Sequence, residues 1–196
     1  KRIKSEKSKM LHDIWGVPTV TRVANAARDG LGANNLILVV GIKALEVAQA
    51  LGKADGRVFE YQAEQRGTGD AVRVGLQALP SPDYDGAIYV FPGDMGLLNR
   101  EAVQDFRQDF ENHPCDMIVL TADYHGEPAQ NYYGRIIRVP ARDVEGKSSG
   151  EDFSKVIEIR EHRDILAMSP DQPYRVEYNH RVYSFFFFYV IVVKFI

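Results

Sequence analysis

Leu36-Ile37-Leu38-Val39-Val40-Gly41 is the stretch on which the fold turns. Five apolar residues run without alternation and close on a glycine. A strand with one wet face would alternate apolar and polar side chains. An unbroken run of this length is what a parallel strand covered on both faces carries. The same unit recurs on either side of it. Residues 17–29 (VPTVTRVANAARD) space Val17, Val20, Val23 and Ala26 or Ala27 at helical intervals, with Gly30 predicted to end the helix and Gly32 to help the turn. Ala44–Leu51 reads as a helix, Arg57–Tyr61 as a strand, and residues 68–79 as a helix. Residues 87–91 read as a buried strand, 99–112 as a helix and 116–122 as a strand. Strand and helix alternate without long breaks, which predicts an α/β fold with a doubly wound, mostly parallel sheet. Such sheets bind ligands at the carboxyl ends of their strands, so the chemistry is expected just after them.

From Glu127 the pattern changes. Residues 136–139 and 155–161 read as strands, and the polar, Gly/Ser-rich residues 142–152 between them as an exposed hairpin loop. This half is predicted to be an antiparallel extension over the mouth of the crevice. No internal repeat and no hexapeptide β-helix repeat is present.

Composition bounds the function. The 196 residues suit one α/β domain, or one domain with a small insertion. A chain of that size buries about 70% of its unfolded surface, so it needs no disulfide or metal staple to fold. Lys plus Arg total 24 against 27 Asp plus Glu, a net charge of −3, which gives no support for nucleic acid as the main partner. The single cysteine, Cys115, fits a reducing, cytoplasmic setting and is expected to be a buried structural thiol. No signal peptide opens the chain, and the longest apolar run, residues 185–193, is too short for a membrane-spanning helix of about 20 residues.

Four segments carry candidate chemistry. Gln62-Ala63-Glu64-Gln65-Arg66-Gly67-Thr68-Gly69-Asp70 lies between a strand and a helix. The amides of Gln62 and Gln65 can donate and accept, which suits the edge of a base, and Gly67 and Gly69 permit close approach to a planar ring. Thr68 could cap the helix or bond a base carbonyl; spacing alone slightly favours a plain helix cap after a polar turn. Val90-Phe91-Pro92-Gly93-Asp94 puts a carboxylate at the tip of a buried strand, where it could hold Mg²⁺; the alternative is a turn, or a cap for the helix near Asn99. The cations Arg2, Lys4, Lys7 and Lys9 suit a triphosphate, although a charged terminus is more often only solvated. Glu161-His162-Arg163-Asp164 follows a strand, and a lone histidine there is more often structural than catalytic. No Ser-His-Asp or Cys-His arrangement and no zinc-ligand spacing is evident.

Together these segments resemble the bacterial N-acetylglucosamine-1-phosphate uridylyltransferases. RIKSEKSKMLHDIWGVPTVTRV looks like the segment just after that family's Gly-x-Gly-Thr loop, and QAEQRGTGDAV like its uracil-reading segment. VFPGDMGLL resembles the metal-binding strand end, and YYGRIIR and EIREHRD the sugar-site segments, in the same order and at similar spacing. The resemblance runs from Arg2 to about Tyr183. It implies a Rossmann-like (GT-A-like) three-layer nucleotidyltransferase fold, about 1–125 forming the nucleotide half and 126–184 the sugar half. Carried over by position, Arg2 and Lys9 would be catalytic contacts to the phosphates. Gln62, Gly67, Thr68 and Gly93 would bind the nucleotide, Asp94 would hold Mg²⁺, and Gly134, Glu161 and Asn179 would hold the amino sugar. The implied substrates are UTP and N-acetylglucosamine 1-phosphate, in the cytoplasm and for cell-wall synthesis, with a homo-oligomer compatible with the full-length protein. The alternatives are another sugar-1-phosphate nucleotidyltransferase, or an inactive domain of this type used for assembly; the latter would have no need of Lys9 and Asp94.

The sequence departs from the family in three ways. It starts beyond the first strand and phosphate loop, it stops before the asparagine expected as second metal ligand, and Asn179-His180-Arg181 replaces Asn, a small residue and Gly. The chain therefore reads as incomplete at both ends. After Tyr183 comes Phe185-Phe186-Phe187-Phe188-Tyr189 running into Val190-Ile191-Val192-Val193. Residues 185–196 are predicted to be an atypical tail, poorly packed or paired as an exposed edge strand.

Overall fold

A computed structural model of the chain describes residues 7–113, 115–121, 125, 134–143, 145–160, 162–167 and 191–194. They fall into two compact units, one within Lys1–Leu120 and Tyr189–Ile196 and the other within Thr121–Phe188. Arg2, Glu161 and Asn179 lie outside the described residues, as do residues 185–190 of the aromatic run.

The first unit begins with a 3-10 turn, Lys9–Leu11, and a hairpin of β1 (Asp13–Ile14) and β2 (Val17–Pro18). Trp15 and Gly16 make its two-residue loop with φ of 52° and 77°, the positive pair that a tight hairpin turn needs. Helix α1 (Thr19–Leu31) follows, then β3 (Leu36–Val40), α2 (Ala44–Leu51), β4 (Arg57–Tyr61), α3 (Thr68–Leu76), β5 (Ala87–Val90), α4 (Arg100–Asn112) and β6 (Met117–Val119). β3 and β4 pair in parallel from Leu36↔Arg57 to Val40↔Tyr61.

The wholly apolar β3 has a layered explanation. Leu36, Leu38 and Val40 pack with Phe59 into a cluster formed by Leu11, Val20, Ala24, Val47 and Leu51, which come from the first turn, α1 and α2. The alternate residues Ile37 and Val39 meet α3 at Gly75, where a Cβ would lie 3.6 and 3.1 Å from their methyl carbons. Side chains on a strand point alternately to its two faces, so a strand between helical layers must be apolar throughout. This is the α/β arrangement expected from the run, with the layers that the family resemblance implies.

Helix α1 runs through Gly30 and stops at Gly32, which takes the left-handed conformation (φ 62°) and closes the helix back on Arg28. The expectation that Gly30 ends the helix is thus corrected, and the reason is packing. A Cβ on Gly30 would lie 2.5 Å from the Val103 Cβ of α4, so this glycine is what lets the two helices touch. Val103 is 1% exposed there. Arg107 of α4 donates to the Leu31 carbonyl at 2.8 Å, serving a helix-end acceptor that has no partner within α1. The Phe110 ring meets Tyr89 of β5 edge-on at 6.4 Å, which seats α4 on the sheet. Cys115 is exposed between α4 and β6 and is not the buried thiol expected.

The expected exposed edge strand is corrected at residues 191–194. β9 (Ile191–Lys194) lies between β5 and β6, antiparallel to both, with Val192 opposite Tyr89 on one side and Ile118 on the other. It is a central strand, not an exposed edge. β5 and β6 run in the same direction, as a parallel sheet requires, and β9 supplies the ladder that each would otherwise lack. A strand with partners on both sides tolerates a continuous apolar run better than an edge does.

In the second unit β7 (Arg135–Arg138) pairs antiparallel with β8 (Val156–Arg160), with a register shift at Ile137/Arg138. The polar loop between them closes on an Arg142↔Ser148 bridge and a 3-10 turn, Gly150–Asp152. Gly134, Arg135, Ile136 and the Ile165 side chain of α5 (His162–Ala167) are buried.

The central place of β9 makes a prediction. Val192→Pro removes one ladder N–H from a strand bonded on both sides, and it should cost about 3 kcal/mol of unfolding free energy in urea denaturation. Unchanged stability would mean that β9 does not bridge β5 and β6 in solution.

Candidate functional site

The candidate residues lie on the Lys9–Leu11 turn and on two loops that follow strands β5 and β4. The turn is the first of the three. The Thr19 N–H donates to the His12 carbonyl at 2.9 Å and the Thr19 hydroxyl to the Lys9 carbonyl at 3.0 Å, so the turn is docked on the start of α1. No side chain caps that helix end, and the His12 carbonyl serves its first N–H, that of Thr19. Met10 then packs into the cluster that contains Val40, at the end of β3.

The second loop is Pro92-Gly93-Asp94, after β5. A Cβ on Gly93 would meet Met10 Sδ at 3.0 Å and Val20 Cγ2 at 3.4 Å. The residue after Lys9 therefore touches the residue before Asp94, and the two charged groups are carried by segments in contact. Tight backbone turns hold the loop (Met95 N–H to Pro92 O at 3.2 Å, Leu98 N–H to Met95 O at 2.8 Å), with Met95 and Leu98 buried beneath it. Asn99 caps α4, its Oδ1 accepting from the Ala102 N–H at 2.8 Å, so Asp94 has no capping duty. Asp94 is half-buried, Lys9 is exposed, and neither forms an ion pair among the described residues. Lys7, by contrast, pairs with Asp13 at 3.2 Å, an exposed contact of small energetic weight.

The third loop is 62–67, after β4. The Gln62 N–H donates to the Val40 carbonyl at 2.8 Å and extends the β3–β4 ladder by one bond. Gly41 makes room for the loop, since a Cβ there would lie 3.1 Å from Gln65 Nε2. The Gln62 side chain is committed on one side. Its Nε2 donates to Asp70 Oδ2 at 2.8 Å and to the Gly67 carbonyl at 3.3 Å, which fastens the loop to the first turn of α3. Its Oε1 accepts no hydrogen bond among the described residues. Gly67 is the N-cap of α3 at φ 98°, a conformation that glycine adopts without strain, and Thr68 is exposed as the first helical residue rather than its cap.

Asp70 was not singled out in the sequence, yet it organises this loop. The Gln62 amide, and then Arg73 at 2.8 Å, hold its carboxyl below the ordinary carboxylate range. A lowered carboxyl favours the folded state above its unfolded pKa, and that contribution is lost as pH falls through the folded value. Its sequence signal was modest, an acid in the first turn of a predicted helix. Thr19 and Met10 gave no comparable signal, because their roles depend on contacts across the fold. Gly134, expected in the sugar site, is buried at the start of β7 in the second unit.

Residues 1–166 match the family described as MobA-like NTP transferase domain. The chain belongs to that family. Within it, the chain is 40% identical over 167 residues to the bifunctional protein GlmU of Streptomyces avermitilis, covering 81% of this chain and 33% of that protein. The GlmU protein of Koribacter versatilis is 30% identical over 185 residues, 94% of this chain and 35% of that one. The chain thus spans about a third of the length of these relatives. Among solved structures, a CMP:2-keto-3-deoxy-manno-octonic acid synthetase complexed with CTP superposes with a TM-score of 0.52 at 15% identity, covering 88% of this chain and 77% of that one, a likeness of fold. No described helix is long and apolar enough to cross a membrane.

The Gln62–Asp70 contact can be checked without substrate. The Asp70 carboxyl carbon should titrate below the ordinary range by NMR, and Gln62→Ala should move its midpoint back up. A midpoint unaffected by the substitution would mean that the two side chains do not bond in solution.

Proposed function

We propose that this domain transfers a uridylyl group from UTP to N-acetylglucosamine 1-phosphate, giving UDP-N-acetylglucosamine and pyrophosphate. The observation that supports the reading is the contact of Met10 with Gly93, which sets the segment carrying Lys9 against the segment carrying Asp94. Lys9 is exposed and Asp94 half-buried, and neither forms an ion pair among the described residues. This arrangement suits a ligand that presents both phosphate oxygens and a metal.

The residues fit Mg²⁺. The ion is hard, prefers oxygen, and takes one or two carboxylates with the rest of its shell from phosphate and water, so a single Asp94 suffices on the protein side. When bound, Mg²⁺ would neutralise phosphate charge and favour departure of pyrophosphate. The protein's share is positioning and charge. A phosphate oxygen of the sugar phosphate attacks the α-phosphorus of UTP in line, and the bond to the bridging oxygen of pyrophosphate breaks. Lys9, joined by Arg2 in this reading, would stabilise the negative charge spread over the transferring group. No covalent intermediate is required.

The base would be read at the third loop. With Nε2 held by Asp70, Gln62 has Oε1 to offer, and the N3–H of uracil is a donor where N3 of cytosine is an acceptor. Gly67, Gly93 and Thr68 would line the nucleotide with backbone and a short hydroxyl. The amino sugar would rest on Gly134, Glu161 and Asn179, an assignment supported by the similarity to the uridylyltransferase family. The coarser reading, a sugar-phosphate nucleotidyltransferase, is supported by family membership and by the GlmU relatives. The setting would be cytoplasmic.

In the full reading frame that carries this chain, Asp94→Ala should abolish UDP-sugar formation while the far-UV circular dichroism stays native. Lys9→Ala should lower kcat/KM by about 10²-fold or more, the usual loss for one electrostatic donor. Near-normal turnover in either variant removes that residue from the site. Gln62→Ala should weaken UTP binding and narrow the gap between UTP and CTP. An unchanged ratio would leave Gln62 as a structural brace for α3.

A further inference from the structure

We infer that Thr19 is a positioning residue that sets Lys9 against the Asp94 loop, an inference that rests on the catalytic reading of Lys9 above. Thr19 is 6% exposed and is the first residue of α1, directly after Pro18. Its side chain has two short branches, and each holds one of the two loops. The hydroxyl donates to the Lys9 carbonyl at 3.0 Å. The methyl packs at Gly96, two residues past Asp94, where a Cβ would lie 2.7 Å from Thr19 Cγ2 and 2.5 Å from Ile14 Cδ1. The next residues of the helix repeat the pattern. Val20 lies under Gly93, and Arg22 Nε donates to the Gly96 carbonyl at 2.6 Å. One helical turn is therefore the common floor of both loops, and Thr19 is the residue that fastens the Lys9 turn to it through a side chain.

The rotamer physics makes this a strut rather than a tether. A β-branched side chain has a restricted χ1, so fixing the methyl against Gly96 also fixes where the hydroxyl points. A buried hydroxyl left without an acceptor is costly, so the Lys9 carbonyl stays where the bond can form. Lys9 itself is exposed and long, and its ammonium is only as well placed as the backbone beneath it. A displacement of about 1 Å in such a group can cost two orders of magnitude in rate.

The substitutions separate the two branches. Thr19→Val keeps the shape and the methyl and loses the donor; Thr19→Ser keeps the donor and loses the methyl. In the full reading frame, Thr19→Val should lower kcat about tenfold with the KM for UTP changed by less than about twofold, because transition-state placement is lost rather than ground-state binding. Thr19→Ser should recover only part of that loss, because the donor returns without the methyl that fixes its direction. In a Lys9→Ala background, Thr19→Val should have almost no further effect, since it acts through Lys9. Should Thr19→Val fail to give a folded protein, Thr19→Ala takes its place with the same expectations. Unchanged kcat in Thr19→Val overturns the inference, and so does a loss of equal size with or without Lys9, which would show a general effect on the fold. If Lys9→Ala alone is near normal, the catalytic reading of Lys9 fails and this inference falls with it. A large loss in Lys9→Ala beside a normal Thr19→Val rejects the strut and leaves that reading intact.

Discussion

The close approach of the first turn of α1 to the Gly93–Gly96 backbone is the constraint on which the candidate site depends. Gly96 has no room for a side chain, because Ile14 and Thr19 stand over it, and at Gly93 a Cβ would be tight against Met10 and Val20. This contact does three things together. It completes the core between α1, α2 and β3, it removes water from beneath the loops, and it brings the cation-bearing and carboxylate-bearing segments into register. Interiors pack at crystal-like density, so a loop pressed onto a helix in this way has little freedom to move its ends. Stability and site geometry thus share the same atoms.

The site residues themselves are comparatively unconstrained by partners. Lys9 is exposed and Asp94 only half-buried, while the residues that place them, Thr19, Met95, Gly96 and Leu98, are buried. In the proposed reading, that division suits a phosphate-handling centre. Charged ends must be able to exchange water for ligand, and their backbone must not relax when they do. The third loop follows the same logic through polar bonds. Gln62 is held by Asp70, and Asp70 by Arg73, so the amide oxygen is presented from a braced side chain. Bracing of this kind limits what the residue can read, since one half of the amide is already in use.

Most of the architecture was legible in single stretches. The run from Leu36 to Val40, the helical spacing before it and the alternation after it predicted elements whose bounds the structure places within about three residues. Asp94 and Gln62 were legible as site candidates because parallel α/β folds put ligands beyond strand ends, and both follow strands. Gly30 was misread because a glycine in a helical pattern has two meanings, an end or a close approach, and only the position of Val103 distinguishes them. The edge strand was misread for a similar reason. An apolar run signals an exposed hazard or a central strand according to whether neighbours exist on both sides, and Ile191–Lys194 has β5 and β6 beside it.

The sequence by itself determined the α/β class, the order of the elements, the family and the residue types at the strand ends. These follow from local periodicity and from short motifs, which are properties of neighbouring residues. The tertiary structure alone decided which segments meet: Met10 with Gly93, Thr19 with both loops, Gln62 with Asp70, and β9 between β5 and β6. The physical reason is that these contacts join residues far apart in the chain. A hydroxyl, an amide or a glycine has many partners that would satisfy it, and which one it meets is settled only when the helices and strands pack.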